Sequence, residues 1–138
     1  MKRLVTVSIC SEQTDAEGTC DRVEYTAPGE YTTKDGKHYL TYREMDEALS
    51  GQVTLKMEES GVTMMRHGKL PARLQFLPNE RCSGVYHTPY GALNLVTFTH
   101  TLRCRFEESG EMRTKYTLFM EDDPVMHTTL RVCWEERK

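Results

Sequence analysis

Gln52-Val53-Thr54-Leu55-Lys56-Met57-Glu58, then Glu59-Ser60-Gly61, then Val62-Thr63-Met64-Met65-Arg66-His67 is the stretch whose reading decides the fold. In its first part Val53, Leu55 and Met57 recur at every second position with polar residues between them, the period of a strand with one buried face. Glu-Ser-Gly has the composition of a tight turn, and Val62 and Met64 resume the same period beyond it. An antiparallel hairpin follows. Parity adds a consequence, because Arg66 continues the Val62 and Met64 row and so is expected to point inward.

Outward in both directions the pattern repeats, and nowhere does an apolar 3.6-residue period persist for three turns. Strands are expected near Arg3 to Ser11, Asp21 to Thr33, His38 to Met45, Gln52 to Glu58, Val62 to His67, Ala72 to Leu77, Arg81 to His87, Ala92 to Phe106, Met112 to Met120 and Val125 to Trp134. Gly, Asn and Pro mark the short turns between them, as in Lys34-Asp35-Gly36-Lys37, Pro78-Asn79-Glu80 and Asp122-Asp123-Pro124. Only Glu12 to Cys20 and Asp46 to Gly51 read as longer loops, the latter with room for a helical turn ending at Gly51. Strands joined by such turns make an antiparallel up-and-down meander, and closure into a β-barrel of eight to ten strands removes its exposed edges.

Direction follows by counting. With the odd-numbered strands running upward, Ser11, Met45, His67, His87 and Met120 end at one mouth, together with both longer loops and the Thr88-Pro89-Tyr90-Gly91 turn. On the third strand the inward row is Leu40, Tyr42 and Glu44, so a carboxylate reaches that mouth too. The third and fifth strands flank the fourth, roughly 10 Å apart at two strand spacings. An ion pair between Glu44 and Arg66, leaning across the fourth strand, is therefore expected. Tyr86 and Thr88 share a row at the same end, and Tyr42, Tyr86 and Tyr90 are natural hydrogen-bond partners for a pair whose desolvation must be offset. The competing reading makes Glu44 and Arg66 ordinary rim charges and the Thr-Pro-Tyr-Gly stretch simply a turn. His100 shares a row with Val96, Phe98 and Leu102 on the apolar face of its strand and reads as a satisfied core residue.

Composition bounds the remaining possibilities. A chain of 138 residues suits one domain spanning residues 1–138, large enough to bury roughly two-thirds of the surface its unfolded form exposes. A net charge of −3 supplies no basic field for nucleic acid or anionic lipid. No apolar run approaches the ~20 residues a spanning helix needs, and the N-terminal residues read as a first strand rather than a leader. No membrane partner and a cytoplasmic location are the expectation. Cys10, Cys20, Cys82, Cys104 and Cys133 are odd in number and lack metal-site spacing, which suits free thiols packed as small hydrophobes. No motif for a cofactor, metal or phosphate loop is present.

Taken in order, Gly29-Glu30-Tyr31, Asp35-Gly36, Tyr39-Leu40-Thr41-Tyr42-Arg43-Glu44, Met65-Arg66-His67-Gly68, Tyr86-His87-Thr88-Pro89-Tyr90-Gly91 and Tyr116 with Leu118 resemble the YwiB-like proteins. These are small bacterial β-barrels of uncharacterised function, grouped structurally with the calycins and lipocalins. The resemblance spans nearly the whole chain. It implies an all-β, calycin-like (lipocalin-like) barrel with an internal cavity and no established reaction, and it adds Tyr116 to the residues of interest.

Three functional classes remain open at this point. A binding protein would hold a small amphipathic or anionic ligand at the upper mouth, its head on Tyr42, Glu44, Arg66, Tyr86, Thr88 and Tyr90 and its apolar part against Met64, Leu74, Phe76 and Leu118. A packed structural barrel would instead use Glu44 and Arg66 as a rivet and its outer surface for a protein partner or homodimer. An enzyme would need Glu44 with Tyr86 or His87 to move a proton, and no nucleophile motif favours it.

Overall fold

Ten strands form among the residues that the structure, a computed structural model, describes, which are 2–44, 51–106 and 109–137. They are β1 (Lys2–Asp15), β2 (Cys20–Lys34), β3 (Lys37–Arg43), β4 (Gln52–Met57), β5 (Val62–His67), β6 (Ala72–Phe76), β7 (Arg81–Thr88), β8 (Gly91–Arg105), β9 (Gly110–Met120) and β10 (Asp123–Glu136). Each pairs antiparallel with its sequence neighbours, and β1 pairs with β10 from Val5 opposite Glu136 to Asp15 opposite Met126, closing the barrel. All ten expected strands are present. The helical turn expected between Asp46 and Gly51 falls on 46–50, outside the described residues.

Two expectations change. Glu12 to Cys20 is not a long loop, because β1 continues to Asp15 and only a short turn remains. Asp15 holds that turn by accepting hydrogen bonds at one carboxylate oxygen from the backbone N–H groups of Glu17 and Thr19, each at 2.9 Å. The second change concerns β8. Its register with β9 runs Thr99 opposite Tyr116 and then Thr101 opposite Lys115, so His100 is the extra residue of a β-bulge. Above the bulge Leu95, Thr97 and Thr99 face inward, and below it Leu102 and Cys104 do. His100 is accordingly exposed on the outer wall, where its Nε2 meets the Thr117 hydroxyl at 2.8 Å, rather than in the core.

The lower part of the barrel is filled. Trp134, Phe76, Leu40, Leu55, Met57, Leu74 and Met112 are fully buried there. Tyr31 stacks on Trp134 at 5.4 Å, and His38 lies parallel to Phe106 at 4.0 Å. Gly110 leaves room for the indole, since a Cβ there would stand 2.2 Å from Trp134 Cζ2. Eight strands enclose an interior just wide enough for side chains to fill, and diameter grows with strand number. Ten strands leave space that these large rings occupy at one end and do not occupy at the other.

Of the cysteines, Cys82 is buried, Cys104 is half-buried with its thiol pushed up to about 11 by burial, and Cys20 is exposed. The packed-hydrophobe reading thus holds for Cys82 and Cys104 and fails for Cys20, which sits at the start of β2 beside a turn.

Candidate functional site

At the upper mouth the inner rows of seven strands surround a cavity of about 490 Å³. Its polar lining is Ser11 and Gln13 from β1, Tyr25 from β2, Tyr42 and the following Glu44 from β3, Arg66 from β5, Tyr86 from β7 and Tyr116 from β9. Ile9, Val23, Met64 and Leu130 supply the apolar part.

The ion pair is formed. Arg66 Nε donates to Glu44 Oε1 at 3.0 Å, with the side chains 15 % and 16 % exposed. What lets the two meet across β4 is Gly51. Glu44 N donates to the Gly51 carbonyl at 2.9 Å, extending the β3–β4 pairing, and the methylenes of Arg66 lie where a Cβ on residue 51 would stand, 2.8 Å from Arg66 Cγ. The guanidinium also lies 5.5 Å from the centre of the Tyr86 ring and is hydrogen-bonded to the Tyr86 hydroxyl. One cation is thereby held by a carboxylate, a phenol oxygen and an aromatic face.

Burial dominates the acid–base behaviour of the lining phenols. It pushes Tyr42, Tyr86 and Tyr116 up from the ordinary tyrosine value, Glu44 adding to the rise at Tyr42 and Tyr86 while Arg66 opposes it at all three. They remain protonated at neutral pH and so offer O–H donors and oxygen acceptors, not bases. His87 is exposed on the outer face of β7, away from Glu44 and the cavity. Among the described residues no cluster of three or more His, Cys, Asp or Glu side chains is placed to hold a metal ion.

Five of the residues singled out in the sequence come together here: Tyr42, Glu44, Arg66, Tyr86 and Tyr116. Thr88 and Tyr90 do not line the cavity. Thr88 is committed to its own turn, its hydroxyl donating to the Gly91 carbonyl at 2.8 Å and accepting from Tyr90 N at 3.1 Å. Tyr90 stands at the tip of that turn, 99 % exposed, so it hydrogen-bonds no part of the ion pair. The expected apolar wall also shrinks to Met64. Leu74 and Phe76 are fully buried in the filled core, the Phe76 ring lying 4.6 Å from that of Tyr116, and Leu118 packs against the same core. Tyr25, Ser11, Gln13, Ile9, Val23 and Leu130 were missed. The signal was available in the inward rows Val5-Val7-Ile9 and Tyr31-Gly29-Ala27, which continue by parity to Ser11 and Gln13 and to Tyr25 and Val23.

A larger depression of about 590 Å³ lies on the outer wall over β1, β2 and β10, lined by Ser8, Cys10, Glu24, Thr26, Arg131 and Cys133 among others. Its charges are paired locally, Arg131 with Glu111 and Arg22 with Glu24, and the sheet's outer face forms its floor. The interior cavity is the place where buried polar groups converge.

Residues 7–132 match the family described as a domain of unknown function (DUF1934). The chain is 26 % identical over 120 residues to the uncharacterized beta-barrel protein YwiB of Bacillus subtilis (strain 168), spanning 86 % of this chain and 84 % of that protein. The crystal structure of the ywiB protein from Bacillus subtilis shares the fold, with a TM-score of 0.88, 22 % sequence identity and coverage of 99 % of this chain and 94 % of that one. The matched stretch runs from β1 to β10, and the chain belongs to the DUF1934 family of YwiB-like β-barrels.

Proposed function

We propose that this chain is a non-catalytic binding protein, a single barrel domain that holds a small amphipathic or anionic molecule at its upper mouth. The observation that carries the reading is the cavity of about 490 Å³ in which a half-buried guanidinium and four phenols converge. That volume lies within the roughly 300–1,000 Å³ of small-molecule sites, and convergent polar groups placed beside an apolar patch are what such sites use for orientation. The apolar part of the ligand lies against Ile9, Val23, Met64 and Leu130, and its head is read by Arg66, Tyr86 and Tyr42. Arg66 is held in place before the ligand arrives, by Glu44 on one side and Tyr86 on the other, which lowers the ordering cost of binding.

The competing structural reading draws on the same pair, since Glu44 and Arg66 are already matched to each other within the chain. Native mass spectrometry of protein isolated from its own cells separates the two. A retained small-molecule mass in the wild type that is lost in a folded Arg66→Met variant supports binding. The bare chain mass in both supports a rivet.

A further inference from the structure

Charge in the upper cavity is balanced before anything enters it. Among the described residues that line the cavity, the charged ones are Glu44 and Arg66, and they lie in direct contact, Arg66 Nε with Glu44 Oε1 at 3.0 Å. That contact uses one guanidinium nitrogen and one carboxylate oxygen, and a further donor goes to the Tyr86 hydroxyl. A guanidinium has five donors and a carboxylate two oxygens, so the closed pair still has polar capacity of both kinds.

Such a pair sorts ligands by charge. A lone carboxylate drawn to Arg66 comes to rest beside the Glu44 carboxylate, and a lone ammonium drawn to Glu44 comes to rest beside the guanidinium. In a half-buried site like charges at that range are weakly screened and reject the ligand. Displacing Glu44 from Arg66 gives an anion no escape, since it strands the displaced carboxylate. A head that carries both charges meets neither penalty, because its anion faces the guanidinium and its cation faces the carboxylate, four charges alternating in sign. With Nε and Oε1 in contact, the two charges of the ligand must also be close together, as across the single carbon of an α-amino acid.

We propose that the upper cavity takes a zwitterion, a molecule of α-amino acid type with its ammonium and carboxylate one carbon apart and an apolar side chain, and that Glu44 reads the ligand on equal terms with Arg66. The proposal rests on the upper cavity being a binding site and adds the charge of what fills it. The remaining lining suits such a molecule. Phenol oxygens and ring faces accept an ammonium, and Tyr42 and Tyr86 both lie within the field of the Glu44 carboxylate. Ile9, Val23, Met64 and Leu130 give the side chain an apolar wall.

The test compares three matched probes: phenylalanine, which carries both charges, 3-phenylpropanoate, which lacks the ammonium, and 2-phenylethylamine, which lacks the carboxylate. Each is titrated into the full chain by calorimetry, with nuclear magnetic resonance reporting the residues perturbed. The expected result is that phenylalanine perturbs Arg66 and Tyr86 and binds about tenfold tighter than either single-charge probe, the worth of one hydrogen bond to a charged group. In Glu44→Gln the affinities should move in opposite directions, phenylalanine weakening about tenfold and 3-phenylpropanoate tightening as its repulsion is removed. A folding defect would weaken both, so opposite movement isolates the charge. A single-charge probe binding tightest to the wild type, or phenylalanine unaffected or tightened in Glu44→Gln, would overturn the zwitterion while leaving the cavity a binding site. No perturbation of cavity residues by any of the three would overturn the binding reading itself.

Discussion

Replacing Arg66 by methionine keeps a flexible stem over Gly51 and removes the charge, leaving the Glu44 carboxylate without its partner. Breaking a fully buried ion pair by removing one member costs about 3–5 kcal/mol, and an exposed pair is worth no more than about 1 kcal/mol. The two side chains are 15 % and 16 % exposed, which places the pair much nearer the first limit. A loss of about 2–3 kcal/mol is expected, and for 138 residues that lowers Tm by roughly 6–12 °C. Removing both charges tells a different story. In Glu44→Gln/Arg66→Met no ion is left stranded, and most of the lost stability should return. Thermal unfolding followed by circular dichroism, completed as a double-mutant cycle, measures the coupling. Gly51→Ala should reproduce part of the Arg66→Met loss, because its Cβ would stand 2.8 Å from Arg66 Cγ and push the stem away from Glu44. An Arg66→Met protein within about 2 °C of wild type, or a double variant no more stable than the single one, would refute the reasoning.

Burial holds the His38 imidazole below its ordinary value, so below pH ~6.5 the unfolded chain binds the proton more readily than the folded one. Stability from this group is fully present above that pH and falls as the pH drops through the unfolded value toward the folded one. Thermal unfolding between pH 7.5 and 5 should therefore show a shallower decline in His38→Gln than in wild type. Gly110→Ala should cost about 3 kcal/mol or more, read as a lower urea midpoint, because the added methyl meets the Trp134 ring at 2.2 Å and the Arg105 carbonyl at 2.6 Å. Tyr90→Ser should leave Tm within about 2 °C and ligand retention unchanged, since the side chain lies outside the cavity.

Strand number and order were legible because nearly every turn carries Gly, Asn or Pro at a position needing it: Asp35-Gly36 and Asn79, for example, adopt the positive φ angles those turn residues favour. The pairing of Glu44 with Arg66 was legible for a similar reason, since parity on two strands and the spacing across a third are local quantities. The β8 bulge was not. Val96, Phe98, His100 and Leu102 read as one apolar row, yet the backbone of Thr99 is engaged by Asn79, whose N–H donates to the Thr99 carbonyl at 2.8 Å, and the face changes at His100. A non-local hydrogen bond of that kind leaves no periodic trace. Tyr90 falls outside the site because a two-residue turn aims its tip away from the barrel, so nearness to Tyr86 in the chain is not nearness in space. The part played by Gly51 is visible only once three strands are assembled, because its reason is a side chain fifteen residues further on.

The central claim is that the upper cavity is filled by a small molecule in the cell. A crystal structure of the protein isolated from its own cells tests it most directly, read at the cavity between Arg66, Tyr86 and Tyr116. The account predicts continuous density for one bound molecule with a polar atom within hydrogen-bonding distance of the Arg66 guanidinium. Separate water peaks alone, with the Glu44 to Arg66 pair closed as it stands here, would contradict it.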